Sequence, residues 1–431
     1  MLRNKIDEMK DEIISSLQEC IKIQSVNTGE SNAEIRRALT YTLEVAESLG
    51  FETKNIDQKV GYAEYGQGEE MIAVLSHLDV VAAGEGWTYP PFGGEIHDGK
   101  IYGRGVLDNK GAAIGALFAL KVIADLNLPL TRRIRVIFGT NEETGGDDIE
   151  RYKQTEELPV MGFTPDAEYP VIFAEKGMIK AVFSKQITQE NETFILKELA
   201  GGEAPNIVPS YASAEISKNG EIIKRLEAVG VTAHGSTPEK GKNAIVDLLN
   251  QLNEIHFSED INQFIQFLCE RIGLETDGEK LQINRHDDIS GSLTVNLGTI
   301  KLENDRIHVC LDIRYPVTAS YDEIEQKLKA VAEEKNLQLL ITKHKKSLYI
   351  PKDSKLVKTL QHVYAEVTGR EEEPLTTGGG TYAKEMDNIV AFGMLFPDQE
   401  DVMHQKNEYM SIEDLMKNVE IMAKAMVELA K

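Results

Sequence analysis

The sequence predicts an α/β fold built on a mixed sheet and interrupted by an inserted α+β unit. Three observations carry that expectation. Short continuous apolar runs, MIAVLS at 71–76 and RIRVIFG at 133–139, read as strands buried on both faces. Between them NKGAAIGALFALKVIADL, residues 109–126, is apolar on nearly every side and rich in small residues, as a helix packed tightly on a sheet must be. From about residue 179 to about 350 the texture changes to strand-like segments mixed with amphipathic helices, after which the buried-strand pattern returns.

Taken in order, the opening MLRNKIDEMKDEIISSLQECIKIQSV places apolar residues at helical spacing between charges. It lacks the unbroken apolar stretch and small-residue cleavage site of a secretory leader. Asp98-Gly99 reads as a hairpin turn between two short extended pieces. Residues 1–178 are therefore expected to form the first part of a catalytic domain. The insert, 179–350, contains IKAVFSK, SLTVNLGTIKL and IHVCLDIRY as strands and helices near 243–255 and 321–335. The first of those helices carries Ile245, Val246, Leu248, Leu249 and Leu252 on one face. At IPKDSKL, 350–356, Pro351 stops a strand and a helix follows, so 351–431 is expected to complete the first domain. NIVAFGMLFP at 388–397 reads as one more buried strand, and Ser411 as the N-cap of a final amphipathic helix.

Composition excludes several partner classes. Lys and Arg number 47 against 71 Asp and Glu, a formal charge of -24, which repels nucleic-acid backbones and anionic membranes. No apolar run is long enough to span a bilayer, so a cytoplasmic protein is expected. Cys20, Cys269 and Cys310 have no CxxC spacing and suggest neither a disulfide framework nor a cysteine zinc site. Neither a GxGxxG fingerprint nor a GxxxxGK[ST] phosphate loop occurs.

In open parallel sheets ligands bind beyond the carboxyl ends of the strands, so the polar residues there are the candidates. SHLDV supplies His77 and Asp79, GRGVLDNKG supplies Asp108, NEETGG supplies Glu142 and Glu143, FTPDAEYP supplies Asp166, and MHQKNEY supplies His404. Two imidazoles and several carboxylates make an oxygen/nitrogen site for borderline divalent ions, zinc first, with manganese or cobalt open. His77 and Asp79, at i and i+2, share a face if the strand continues, so the carboxylate can fix the ligating nitrogen. Asp108 is placed to bridge two ions, and Glu143, Asp166 and His404 would complete two ligand sets. Adjacent carboxylates repel, and a dinuclear centre relieves the repulsion between Glu142 and Glu143. Glu142 is then left as general base for water, in a backbone that Gly145-Gly146 allows to turn. Singly, each of these residues has an ordinary solvated reading; their joint order is what points to a metal centre.

The same motifs, SHLDV, GRGVLDNKG, NEETGG, FTPDAEYP and MHQKNEY, resemble the co-catalytic zinc peptidase family of aminoacylases, carnosinases and desuccinylases, nearest the bacterial Xaa-His dipeptidases, over nearly the whole chain. That resemblance implies a zinc-peptidase catalytic domain with an inserted lid. It implies His77, Asp108, Glu143, Asp166 and His404 as ligands of two metals with Asp108 bridging, Asp79 supporting His77, Glu142 as acid/base, and a cis peptide between Asp108 and Asn109. In the lid it implies His234 as electrophile to the oxyanion, Asn206 and Arg314 as substrate-holding residues, and backbone N–H groups of Gly379 and Gly380 assisting Arg314 at the substrate carboxylate. The insert resembles the enlarged lid of the dipeptidases, which implies a monomer. The expected activity is metal-dependent hydrolysis of unblocked dipeptides in the carnosine-like range. An N-acyl amino-acid amidohydrolase or desuccinylase on the same centre, and a non-catalytic metal- or peptide-binding protein, stand as alternatives; intact Glu142 speaks against the last.

Overall fold

The structure is a computed structural model that describes residues 1–29, 33–190 and 192–431. It divides into two compact units. One comprises Met1–Phe173, Ile350–Leu375 and Thr381–Lys431; the other comprises Ala174–Tyr349 and Thr376–Gly380. The short segment holding Gly379 and Gly380, placed with the catalytic domain on sequence grounds, thus clusters with the inserted unit.

In the first unit the strands run in the order Glu52–Ile56, Val60–Tyr65, Arg133–Gly139, Met71–His77, Met161–Thr164 and Ile389–Ala391. Met71–His77 is parallel to both of its neighbours, and Ile389–Ala391 is parallel to Met161–Thr164. The first two strands add antiparallel pairs at one edge, so the sheet is mixed. Every residue of Met71–His77 is buried, as its unbroken apolar run demands. The helix Lys110–Asp125, buried along nearly its whole length, packs against the C-terminal helix Ile412–Ala430 and against the two central strands. Ser411 caps that last helix by accepting the N–H of Asp414 at 3.0 Å. Asp98 and Gly99, both at positive φ, close the hairpin between Glu95–His97 and Lys100–Tyr102.

One expectation needs correction here. Residues 388–397 do not form a single strand but two short ones, Ile389–Ala391 and Met394–Leu395, the second paired with Ala167–Glu168. Gly393, at φ +85, breaks the extended run between them.

The second unit is built on an antiparallel seven-stranded sheet. Its order is Glu221–Val229, Tyr211–Lys218, Ile195–Gly201, Thr294–Glu303, Arg306–Tyr315, Gly177–Gln186 and Gln338–Lys345. The helices Ala244–Leu252 and Glu259–Arg271 pack on it, and Ile245, Val246, Leu248, Leu249 and Leu252 all lie in its core. Among the described residues no helix is long and apolar enough to cross a membrane.

Candidate active site

The parallel strands of the first unit deliver the predicted residues to one place. His77 is the last residue of its strand, pairing with Gly139, and Glu142 and Glu143 follow three and four residues beyond that glycine. Asp166 follows the neighbouring strand Met161–Thr164, and Asp108 precedes the buried helix. His404 lies in the connection before the final helix at φ +60, a left-handed conformation unusual for a side-chain-bearing residue and common at functional sites.

Asp108 stands at the centre. Its Oδ1 is 2.9 Å from Nε2 of His77, and its Oδ2 is 2.8 Å from Nε2 of His404. Asp166 Oδ1 lies 3.6 Å from the same His77 nitrogen, and Glu143 Oε2 lies 3.4 Å from that of His404. The cluster therefore splits into two halves, each with one imidazole and one terminal carboxylate, joined through the two oxygens of Asp108. Ligand atoms of His77, Asp108 and Glu143 all lie within 4.8 Å of one another, as do those of His77, Glu142 and Asp166. The donor set suits divalent cations. Nε2 of His77 and Oε1 of Glu143 are buried polar atoms without a hydrogen-bond partner among the described residues, which a bound cation would satisfy.

The electrostatics reflect the crowding. Burial opposes charge on His77, but the carboxylates of Asp166, Asp108 and Asp79 outweigh it and raise its pKa well above the ordinary histidine value. His404 is likewise raised, to about 11, because Asp108 and Glu143 overcome the cost of burial. Burial, together with the charge of Asp108, pushes Glu143 up to about 7. Asp108 itself is lowered: burial acts against its charge, but the adjoining imidazoles of His404 and His77 prevail.

Asp79 meets His77 through its backbone as well as its carboxylate. The strand ends at His77, so the chain turns and presents the backbone carbonyl of Asp79 to Nδ1 of His77 at 2.9 Å, while the nearest carboxylate oxygen stands at 3.4 Å. Since a carbonyl only accepts, Nδ1 carries the proton and Nε2 is left as the ligating nitrogen. The fully buried Asp79 carboxylate also accepts the N–H groups of Glu142 at 3.1 Å and Glu143 at 3.2 Å, with Nδ2 of Asn27 at 2.8 Å. One side chain thereby holds the peptide backbone of both glutamates. Gly146 closes that turn at φ +109, where a side chain would be strained.

Two further residues, Asn109 and Asp148, are not singled out by the sequence. Asn109 accepts the N–H of His77 at 3.2 Å and donates to Asp166 Oδ1 at 3.0 Å and to the carbonyl of Pro165 at 2.8 Å, fastening two ligand-bearing segments together. Asp148 accepts the N–H groups of Thr140 at 2.6 Å and Asn141 at 2.9 Å, and also the hydroxyl of Tyr382. Their partners are distant in sequence, and the available signal was only a polar residue inside or beside a motif. The peptide between Asp108 and Asn109 is cis.

The residues expected in the lid belong to the second unit, where they also come together. The N–H of Gly235 donates to the carbonyl of Asn206 at 2.7 Å, and Ile207 bridges His234, so the two loops run side by side. Nδ1 of His234 accepts the backbone N–H of Ser236 at 3.3 Å and lies 2.7 Å from its hydroxyl. The ring proton is therefore on Nε2. Arg314 is buried and gives Nε and Nη2 to the two oxygens of Asp312 at 2.5 and 2.9 Å, and Nη1 to the carbonyl of Gly378 at 2.9 Å. A Cβ on Gly378 would come within 2.6 Å of Ser236, which places Gly378 beside the His234 loop. The N–H of Gly379 donates to Thr377 Oγ1 at 3.0 Å.

Residues 73–428 match the family model described as peptidase family M20/M25/M40. The chain is 37% identical to "Putative dipeptidase YtjP" of Bacillus subtilis, with 98% of each chain covered. It is 34% identical to "Putative dipeptidase SSP1012" of Staphylococcus saprophyticus, over 100% of this chain and 99% of that one. Among solved structures it superposes on human carnosine dipeptidase 1 with a TM-score of 0.64 at 16% identity, covering 100% of this chain and 98% of that one. On the aminoacylhistidine dipeptidase of Vibrio alginolyticus the TM-score is 0.63 at 16% identity, with 97% and 96% covered. At these identities the structural likeness concerns the fold.

Proposed function

Since the chain belongs to peptidase family M20/M25/M40, we propose that it is a dinuclear metal-dependent dipeptidase acting on unblocked dipeptides, the Xaa-His and carnosine-like range included. The observation that carries the reading is Asp108, whose two oxygens each face one imidazole with one further carboxylate beside it. His77, Asp166 and Asp108 would hold one cation; His404, Glu143 and Asp108 would hold the other. Zinc is the first choice for this donor set, with manganese and cobalt next. When bound, two such ions supply positive charge that lowers the pKa of water towards 7 and polarises a carbonyl.

The protein's own groups then divide the remaining work. Glu142, held by its backbone N–H on Asp79, takes the proton from the attacking water and gives it to the departing amine as the C–N bond breaks. His234 donates Nε2–H to the developing oxyanion, a hydrogen bond that strengthens as charge develops there. Arg314, oriented by Asp312, takes the C-terminal carboxylate of the substrate, and Asn206 with the Gly379 and Gly380 backbone lines the same subsite. The enzyme acts as a cytoplasmic monomer in this reading.

The test is hydrolysis of β-alanyl-histidine and of its N-acetyl form by protein reloaded with zinc or manganese, beside Glu142→Ala. Cleavage of the free-amine dipeptide alone, abolished by the substitution, is the expected result. Turnover of the acetylated form alone would move the assignment to an N-acyl amino-acid amidohydrolase, and no turnover of either would refute the carnosine-like range and leave another substrate or a binding role to be tested next.

A further inference from the structure

The motif that supplies His404, MHQKNEY, also carries an acidic residue, Glu408, which the mechanism leaves unused. It is fully buried. Oε1 accepts the backbone N–H groups of Leu107 at 2.8 Å, Asp108 at 3.1 Å and Gly105 at 3.1 Å. Oε2 takes Nη1 of Arg104 at 2.6 Å and lies 3.1 Å from the same Gly105 nitrogen. Three N–H groups of one short loop converging on one carboxylate form a concave anion-binding turn, here filled from within the chain. Its charge is balanced by Arg104, itself buried.

The location gives this carboxylate leverage. The last of the three amides belongs to Asp108, the residue whose side chain joins the two halves of the cluster. Glu408 is also four residues beyond His404, so it links the segment carrying the shared carboxylate to the segment carrying one imidazole. The general fold of this corner does not depend on it alone. Tyr409–Ser411 pairs with Lys100–Tyr102 as backbone, and the N–H of Gly103 donates to the carbonyl of Glu408 at 3.0 Å. What the side chain adds is a fixed orientation for the 105–108 turn.

We propose that Glu408 is a positioning residue for the dinuclear centre: by clamping the amides of Gly105, Leu107 and Asp108 it sets Asp108 so that each oxygen meets one cation. The inference rests on the dinuclear reading above. Removing such an outer partner of a metal ligand weakens binding by roughly 10- to 100-fold.

The experiment is titration of metal-free protein with Co(II), following stoichiometry by equilibrium dialysis and spin coupling between the two ions by electron paramagnetic resonance, with far-UV circular dichroism as the folding control. Wild type is expected to bind two ions that couple through a shared carboxylate. Glu408→Gln, which keeps the shape but loses the charge and one acceptor oxygen, is expected to stay folded, bind roughly 10- to 100-fold more weakly and lose the coupling. If Glu408→Gln does not fold, the pair Arg104→Met with Glu408→Gln, which removes the uncompensated guanidinium, carries the same test. Wild-type affinity and coupling in the folded variant would overturn the inference and leave the dinuclear reading standing. Fewer than two ions in wild type would overturn both.

Discussion

Asp148 gives the most quantitative handle on the site. It is buried under the loop that leads to Glu142, and burial, with the charge of Asp79 adding, raises its carboxyl to about 6 even though Tyr382 and the N–H of Thr140 favour the ionised form. An ordinary aspartate titrates near 3.8. A folded-state pKa above the unfolded one means the folded protein binds the proton more tightly, so this stabilisation is complete below pH 3.8 and is lost as pH rises through about 6. That rise corresponds to about 3 kcal/mol over the whole window. The sequence pI is about 4.9, where low net charge favours precipitation, so the comparison runs from pH 5.5 to pH 8. Over that range the linkage expression leaves a loss of about 1 kcal/mol, or about 2–3 °C in Tm for a unit of this size. Asp148→Asn places an uncharged oxygen where the N–H groups of Thr140 and Asn141 point and cannot ionise. Differential scanning calorimetry of metal-free protein should therefore show the variant gaining about 2–3 °C on wild type between pH 5.5 and pH 8. A Tm difference that does not change with pH would refute the argument that burial raises the Asp148 carboxyl.

Two other outcomes separate the roles of neighbouring residues. Glu142→Gln should lower kcat by about 10²- to 10⁴-fold while two ions still bind, whereas Glu143→Gln should lose affinity for one of the two; metal analysis beside steady-state kinetics reads both. Arg314→Lys cannot hold both oxygens of Asp312 and the carbonyl of Gly378 at once, so KM for a dipeptide should rise about tenfold or more with kcat changed far less. A fall in kcat without a change in KM would remove Arg314 from substrate binding.

Much of this site was legible because each residue sits inside a short motif at a strand end, and the order of strands in an α/β sheet converts that order into proximity. His77, Asp108, Glu143, Asp166 and His404 do come together, although nothing local in the sequence shows that Asp108 must face both imidazoles. Less legible was what holds them. Strand periodicity points the Asp79 carboxylate at the His77 ring, but once the strand ends at His77 it does not show that the same carboxylate also holds the amides of Glu142 and Glu143. Asn109, Asp148 and Glu408 owe their importance to partners between seven and more than three hundred residues away, a relation that periodicity does not encode. The break at Gly393 escaped for the opposite reason, since an apolar run hides one backbone turn.

The buried carboxylates of the first unit fall into two kinds, and the difference explains how the site tolerates its charge. Asp79, Asp148 and Glu408 are each satisfied by backbone N–H groups, two or three apiece, in segments adjoining or carrying the candidate ligands. Asp108, Glu143 and Asp166 instead face the two imidazoles. Carboxylates left so close repel, and an unsupported loop would relieve the strain by moving its side chain into water. The first set prevents that, because moving Glu143 or Asp108 away would break hydrogen bonds from their backbone N–H groups to an already buried carboxylate. The positions of the second set are thereby fixed before any cation arrives, the condition for a site to bind two ions at a set spacing without reorganising. On this argument the three clamping carboxylates have a larger effect on metal affinity than their distance from the ions suggests.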